Sequence, residues 1–267
     1  MNQTKISECK QLRIYVPEPK GNILFLHGFT SRFENHLDIV KHFPDYNVFA
    51  INVPGHGDSP FKDPVELAGE YYAHFYKEFI EELKLDSVIL MGHSMGGGIT
   101  TILQGILPKS LVKKIILVNP ANREVISTDQ KVEHIIKMMP NTIEDTKVVI
   151  DSLYYNAKDF FQTEQAYEFA IKSYYDELQK MKHLRIMVDP NRMKRFGQLI
   201  QEGIDKIQAP TLLIVGEDDR LVPTQGTVEC FKNQKNVKIV YIAKSGHMPM
   251  VENPKDYWKE IHTFLEN

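Results

Sequence analysis

Cysteine is scarce in this chain of 267 residues: only Cys9 and Cys230, far apart in sequence. That excludes a disulfide-stapled scaffold and reads as two free thiols in a reducing compartment. No apolar run approaches the roughly 18 residues that a membrane-spanning helix needs. Charge of one sign is also missing. The 32 basic and 35 acidic residues leave a formal charge of -3 and a pI near 6.4. Such a balance gives no electrostatic case for a nucleic-acid partner or an anionic membrane surface. The stretch from Met1 to Lys10 is polar and lacks the apolar centre of a secretory signal. Internal repeats, low-complexity tracts and long charge runs are absent as well. Together these absences give the expectation of a cytoplasmic protein acting on a small molecule, with no nucleic acid and no integral membrane association. They leave the oligomeric state open.

What is present is an ordinary globular composition, 42% hydrophobic and 25% charged, in a chain long enough to bury a full core. Short apolar runs recur at Ile23–Leu26, Val48–Val53, Val88–Met91, Ile115–Val118, Leu212–Val215 and Val237–Ile242. They are rich in Val, Ile and Leu and lack polar alternation, as strands buried on both faces do. Longer amphipathic segments separate them, with Glu66–Leu85 and Met95–Leu107 as helix candidates. The last helix is signalled by Asn253 as cap, Pro254 at its first position and a stripe of Tyr257, Trp258, Ile261, Phe264 and Leu265. The alternation predicts an α/β domain with a mostly parallel sheet.

One stretch breaks this rhythm. From about residue 121 to about 205 there is no strand signal, and the segment carries nine aromatic and five methionine residues. It reads as a helical insertion between two strands. The expected division is a core of residues 1–120 and 206–267 and a cap of residues 121–205. Most of its bulky side chains are expected to build the insertion's own core. Because it leaves the sheet just after Val118, some should also roof a cleft there and favour uncharged, medium-length acyl groups.

The chemistry concentrates in Gly92-His93-Ser94-Met95-Gly96, which follows one strand candidate and opens a helix candidate. A G-x-S-x-G pentapeptide in that setting marks a tight turn that lifts a serine clear of the sheet, with glycines where strand and helix crowd together. Ser94 is therefore the candidate nucleophile. Its base should follow in sequence, after an acid, and His247 in Ser245-Gly246-His247 lies beyond the last strand candidate. Glu217, Asp218 and Asp219 are adjacent carboxylates after Leu212–Val215. Of these, Asp219 is favoured over Asp218 as the group that fixes the histidine tautomer. Developing charge on a substrate oxygen needs N–H donors. The candidates are the backbone amides of Met95 and of Phe29 in His27-Gly28-Phe29-Thr30. His27 itself is assigned a structural role.

Taken together, five motifs in order resemble the α/β-hydrolase superfamily: His27-Gly28-Phe29, Pro54-Gly55-His56-Gly57-Asp58-Ser59, Gly92 to Gly97, Gly216 to Pro223, and Gly246-His247 followed by Glu252-Asn253-Pro254. The likeness covers nearly the whole chain and is similar in pattern to small bacterial carboxylesterases and monoacylglycerol-lipase-like enzymes. It implies an α/β-hydrolase fold with an eight-stranded, mostly parallel sheet flanked by helices, a helical cap after the sixth strand, no cofactor and no metal. It also implies that Asp219 is the triad acid and that His56 is structural. Dehalogenases and epoxide hydrolases of this type use an aspartate where this chain has Ser94, and proline iminopeptidases carry a Gly-Gly-Pro-Gly run where it has Gly28-Phe29-Thr30-Ser31. The expected function is hydrolysis of carboxylic esters through an acyl-enzyme. Carbon–carbon hydrolysis, lactone hydrolysis and acyl transfer by the same residues stay open, as does a non-catalytic sensor on the same fold.

Overall fold

Asn47–Ile51, Val88–His93 and Thr211–Gly216 are buried at every residue, which only the interior of a sheet covered on both faces allows. The computed structural model, which describes residues 3–126 and 138–267, assembles them into such a sheet. Its strands are β1 (Gln11–Ile14), β2 (Asn22–Leu26), β3 (Asn47–Ile51), β4 (Val88–His93), β5 (Val112–Val118), β6 (Thr211–Gly216) and β7 (Val237–Ile242). Their spatial order is β1-β3-β2-β4-β5-β6-β7. β1 runs antiparallel to β3, and every other pair is parallel.

The sheet therefore has seven strands among the described residues, one fewer than the resemblance implies, and the insertion follows the fifth strand rather than the sixth. The chain before β1 is engaged elsewhere. It forms a 3-10 turn at Ile6–Glu8. Thr4 donates its amide and hydroxyl to the buried Glu66 carboxylate at 2.9 and 2.7 Å.

Side chains alternate across β2, so Leu24 and Leu26 enter one apolar layer and Ile23 and Phe25 the other. The first layer is closed by α2 (Gly69–Glu82) and α3 (Met95–Ile106), through Tyr72, Phe79 and Leu103. The second is closed by α1 (Asp38–His42) and the C-terminal helix Pro254–Glu266, through Ile39, Tyr257, Trp258 and Ile261. Asn253 caps that last helix as its sequence suggests, its side chain accepting from the Asp256 amide. Cys9 and Cys230 are buried and free.

Between β5 and β6 the described chain is helical. It contains α4 (Ile143–Leu153), α5 (Ala157–Phe161), α6 (Glu164–Lys180) and α7 (Pro190–Ile204). Thr142, Thr163 and Asp189 cap three of them by accepting backbone amides. Tyr167 is buried against Ile150, Ala157 and Ile171, an apolar cluster of the insertion's own. α7 lies against α3, where Gln104 Nε2 donates to the Gly203 carbonyl at 2.7 Å. Residues 127–137 of the insertion lie outside the described residues. Beyond β6 the chain forms α8 (Thr224–Phe231), α9 (Pro249–Glu252) and α10 (Pro254–Glu266). Among the described residues no helix is long and apolar enough to cross a membrane.

Candidate active site

Ser94 stands between β4 and α3 with φ 55° and ψ -121°. A non-glycine residue with positive φ is strained and must be held there by its surroundings. The Ser94 amide donates to the Val118 carbonyl at 2.9 Å, and the Ser94 carbonyl accepts from Gly98 at 3.1 Å and Ala121 at 2.9 Å. The flanking glycines are steric necessities. A Cβ on Gly92 would overlap the Gly96 carbonyl and the Thr100 hydroxyl, and one on Gly96 would overlap the Leu26 carbonyl. The turn thus needs both glycines of the pentapeptide because strand, helix and neighbouring strand touch backbone to backbone.

His247 and Asp219 come from two other loops at the same sheet edge. His247 Nδ1 lies 2.7 Å from Asp219 Oδ2, and both side chains are buried. The second oxygen of Asp219 accepts from the Leu221 and Val222 amides at 2.9 and 2.8 Å. Two backbone donors aim the carboxylate at the imidazole. The neighbouring acids point elsewhere. Asp218 is exposed and paired with Arg220 at 3.6 Å, and Glu217 accepts from the Lys244 amide. Of the three adjacent carboxylates, Asp219 is the one in contact with His247.

The loop bearing His247 is held from three sides. Its amide donates to the Leu153 carbonyl at 2.8 Å, and its carbonyl accepts from His93 Nε2 at 2.9 Å. Glu252 accepts from the preceding Gly246 amide at 2.8 Å, and burial raises the pKa of that carboxyl. The His93 ring, next in sequence to Ser94, lies 4.9 Å from the His247 ring. Burial lowers the pKa of His93 well below the usual histidine value, with the neighbouring His247 and His36 acting in the same direction. Its part in holding His247 was not read from sequence. The only signal for it is its place inside the pentapeptide.

Phe29 and Met95 line the same cavity as Ser94, and neither backbone amide has an acceptor among the described residues. For Met95 this follows from its place in the first turn of α3, where amides have no intrahelical partner. A cavity of about 630 Å³, including its open mouth, joins Phe29, Ser94 and Met95 to Met138, Met187, Met193 and Phe196 of the insertion and to Leu221 and Val222 beyond β6. The insertion does reach the cleft, with three of its methionines and one aromatic, Phe196, among the lining residues. Most of its aromatics are elsewhere: Tyr154 stacks on Phe160, Phe161 meets both edge-on, and Phe169 is exposed.

His27 and His56 are buried and structural. His27 Nδ1 is 2.9 Å from the Gly28 carbonyl while Nε2 accepts from the Val53 amide at 3.3 Å, which fixes the tautomer with the proton on Nδ1. Desolvation lowers its pKa to about 4 and holds His56 well below the usual value.

A family model described as alpha/beta hydrolase fold matches residues 21–254. The chain belongs to the α/β-hydrolase family. This α/β hydrolase is 31% identical over 249 residues to "Putative esterase/lipase 1" of Mycoplasma pneumoniae, covering 92% of this chain and 91% of that protein. It is 25% identical over 260 residues to human monoacylglycerol lipase ABHD6, covering 93% of this chain and 76% of the lipase. Among solved structures, a meta-cleavage product hydrolase (CumD) superposes with a TM-score of 0.80 at 15% identity, over 99% of this chain and 97% of that one. A bacterial membrane phospholipase A superposes with a TM-score of 0.76 at 20% identity, over 99% of this chain and 85% of that one. At those identities the two structures speak for the fold alone.

Proposed function

We propose that this α/β hydrolase cleaves carboxylic esters of apolar, short-to-medium acyl chains through an acyl-enzyme, with residues 121–205 as the cap of a core formed by residues 1–120 and 206–267. Ser94 Oγ attacks the ester carbonyl and His247 Nε2 takes the hydroxyl proton. Asp219, hydrogen-bonded to Nδ1–H, stabilises the imidazolium. The Phe29 and Met95 amides receive the charge that develops on the carbonyl oxygen. The tetrahedral intermediate collapses as His247 protonates the departing alcohol. A water deprotonated by His247 then attacks the acyl-Ser94 carbonyl, releasing the acid and restoring the serine.

The observation that carries this reading is the buried 2.7 Å pairing of His247 Nδ1 with Asp219. It commits one ring nitrogen to the acid and leaves the other as the base. The esterase and lipase names of the relatives agree with it. The two buried, free thiols fit a reducing compartment, the cytoplasm.

A substrate panel tests the proposal. p-Nitrophenyl esters, small lactones and a vinylogous diketone are compared by kcat/KM on the same preparation. Faster turnover of the esters is expected. Turnover of the diketone with none of the esters would replace ester hydrolysis with carbon–carbon hydrolysis.

A further inference from the structure

A second cavity lies on the other side of the loop that follows β2. Phe29 lines the apolar cavity of Ser94, whereas the next three residues, Thr30, Ser31 and Arg32, line the second one. It is larger, about 1470 Å³ including its open mouth, and its walls are mixed, more polar than those of the first. Its opposite wall is built by Ile150 of α4, Tyr154 just beyond it, Phe161 of α5 and α6 residues that include Tyr174.

Two connections link this cavity to the reacting groups. Thr30 follows Phe29, whose amide is the second oxyanion donor in the proposed function. Tyr154 follows Leu153, whose carbonyl accepts the His247 amide at 2.8 Å. During acylation His247 protonates the departing alcohol, so the alcohol must extend toward the His247 side. The apolar cavity suits an acyl chain, and the second cavity begins one residue beyond each of these two contacts.

The charges around it are unequal in what they do. Asp58 is paired with Lys10 at 3.2 Å, and Glu177 with Lys180. His183 Nε2 is 2.7 Å from the Gly55 carbonyl. Arg32 is partly buried, and its guanidinium has no hydrogen-bond or ion-pair partner among the described residues. A guanidinium at a cavity whose carboxylates, Asp58 and Glu177, are paired with lysines is a planar donor set that suits a phosphate or carboxylate. The Thr30 and Tyr174 hydroxyls, 3.5 Å apart, add further polar groups.

We infer that the second cavity is the leaving-group subsite and that Arg32 binds an anionic group, phosphate or carboxylate, on the alcohol part of the ester. This rests on the proposed function and narrows the expectation of uncharged substrates to the acyl side. The shape it assigns to the substrate is an apolar acyl chain in one cavity and a charged polyol in the other.

The test compares a 1-acylglycerol 3-phosphate with the 1-monoacylglycerol of the same chain, below their critical micelle concentrations. The wild type should favour the phosphate ester in kcat/KM. Arg32→Gln should lower that preference about tenfold, the scale of a charge-assisted hydrogen-bond pair. Arg32→Lys, which keeps the charge and loses the fork, should fall between. Calorimetric titration with glycerol 3-phosphate, with glycerate and with glycerol tests binding without turnover. Either anion should bind the wild type more tightly than glycerol does, and Arg32→Gln should abolish the difference. Equal rates for the two wild-type substrates, an equal fall for both in Arg32→Gln, or no anion binding by calorimetry would overturn the inference. If the monoacylglycerol is hydrolysed while the anion preference is missing, only the subsite assignment fails. If neither ester is hydrolysed while the anions bind through Arg32, it is the ester reading that fails.

Discussion

Asp219→Asn separates the two jobs of this carboxylate. One oxygen accepts the Leu221 and Val222 amides at 2.9 and 2.8 Å, and the other faces His247 Nδ1 at 2.7 Å. An asparagine can keep its oxygen on the two backbone donors. Its NH2 then faces Nδ1, where two N–H groups cannot share one hydrogen bond. The imidazole responds by moving its proton to Nε2, and in that tautomer it cannot accept the Ser94 proton. Loss of a triad acid by this route costs about 10⁴ in kcat, or roughly 5.5 kcal/mol. Asp218→Asn removes only an exposed contact to Arg220 at 3.6 Å, and exposed pairs contribute about 1 kcal/mol or less to stability. Its kcat should stay within about twofold of wild type, well inside the tenfold step of about 1.4 kcal/mol. Saturation kinetics on p-nitrophenyl butyrate, with thermal melts to establish folding, give both numbers. A folded Asp219→Asn protein with kcat within tenfold of wild type, or a larger loss in Asp218→Asn, would refute the assignment of the acid.

Two further predictions follow from burial. His27 stays neutral in the fold, with its pKa at about 4, whereas the unfolded chain takes up that proton near about pH 6.5. Its contribution to stability is complete above that value and is lost as pH falls toward 4. Urea unfolding should therefore show a loss of at least about 1 kcal/mol between pH 7 and pH 5.5, with His56 and His93 acting in the same direction. A free energy unchanged over that interval would contradict the neutral, buried state of these rings. In the apolar cavity each added methylene should contribute up to about 0.8 kcal/mol, close to fourfold in kcat/KM, until the cavity is full. An acetyl ester turned over at least ten times faster than butyryl and hexanoyl esters would show that the cavity does not hold the acyl chain.

The parallel strands were legible because burial on both faces leaves unbroken Val, Ile and Leu runs. Their ends were less so, and the reasons are local. β5 begins at Val112, ahead of the expected Ile115, because Lys113 and Lys114 break the apolar run while staying in the strand, Lys114 donating to the Phe264 and Leu265 carbonyls at 3.0 and 2.9 Å. β3 stops at Ile51 because Asn52 turns its side-chain oxygen to the Phe33 amide. β1 has no buried residue, so its short sequence carries no apolar pattern to read. At the site, Ser94 and its glycines were legible because a tight strand-to-helix turn tolerates little else. Asp219 was favoured through chain order and the resemblance. Its geometric distinction from Asp218 depends on backbone amides that no side-chain pattern reveals. His93 acts through a contact made across the fold, to residue 247, and Arg32 is set apart by the cavity it lines; sequence spacing holds no trace of either.

The most direct test of the central claim pairs Ser94→Ala with a fluorophosphonate probe. The account predicts that the wild type is labelled at Ser94 and that the folded variant is unlabelled, with ester turnover down by on the order of 10⁶. A folded Ser94→Ala protein that keeps more than about 1% of wild-type turnover, far above what loss of a triad serine leaves, or a wild type that the probe does not label, would contradict it.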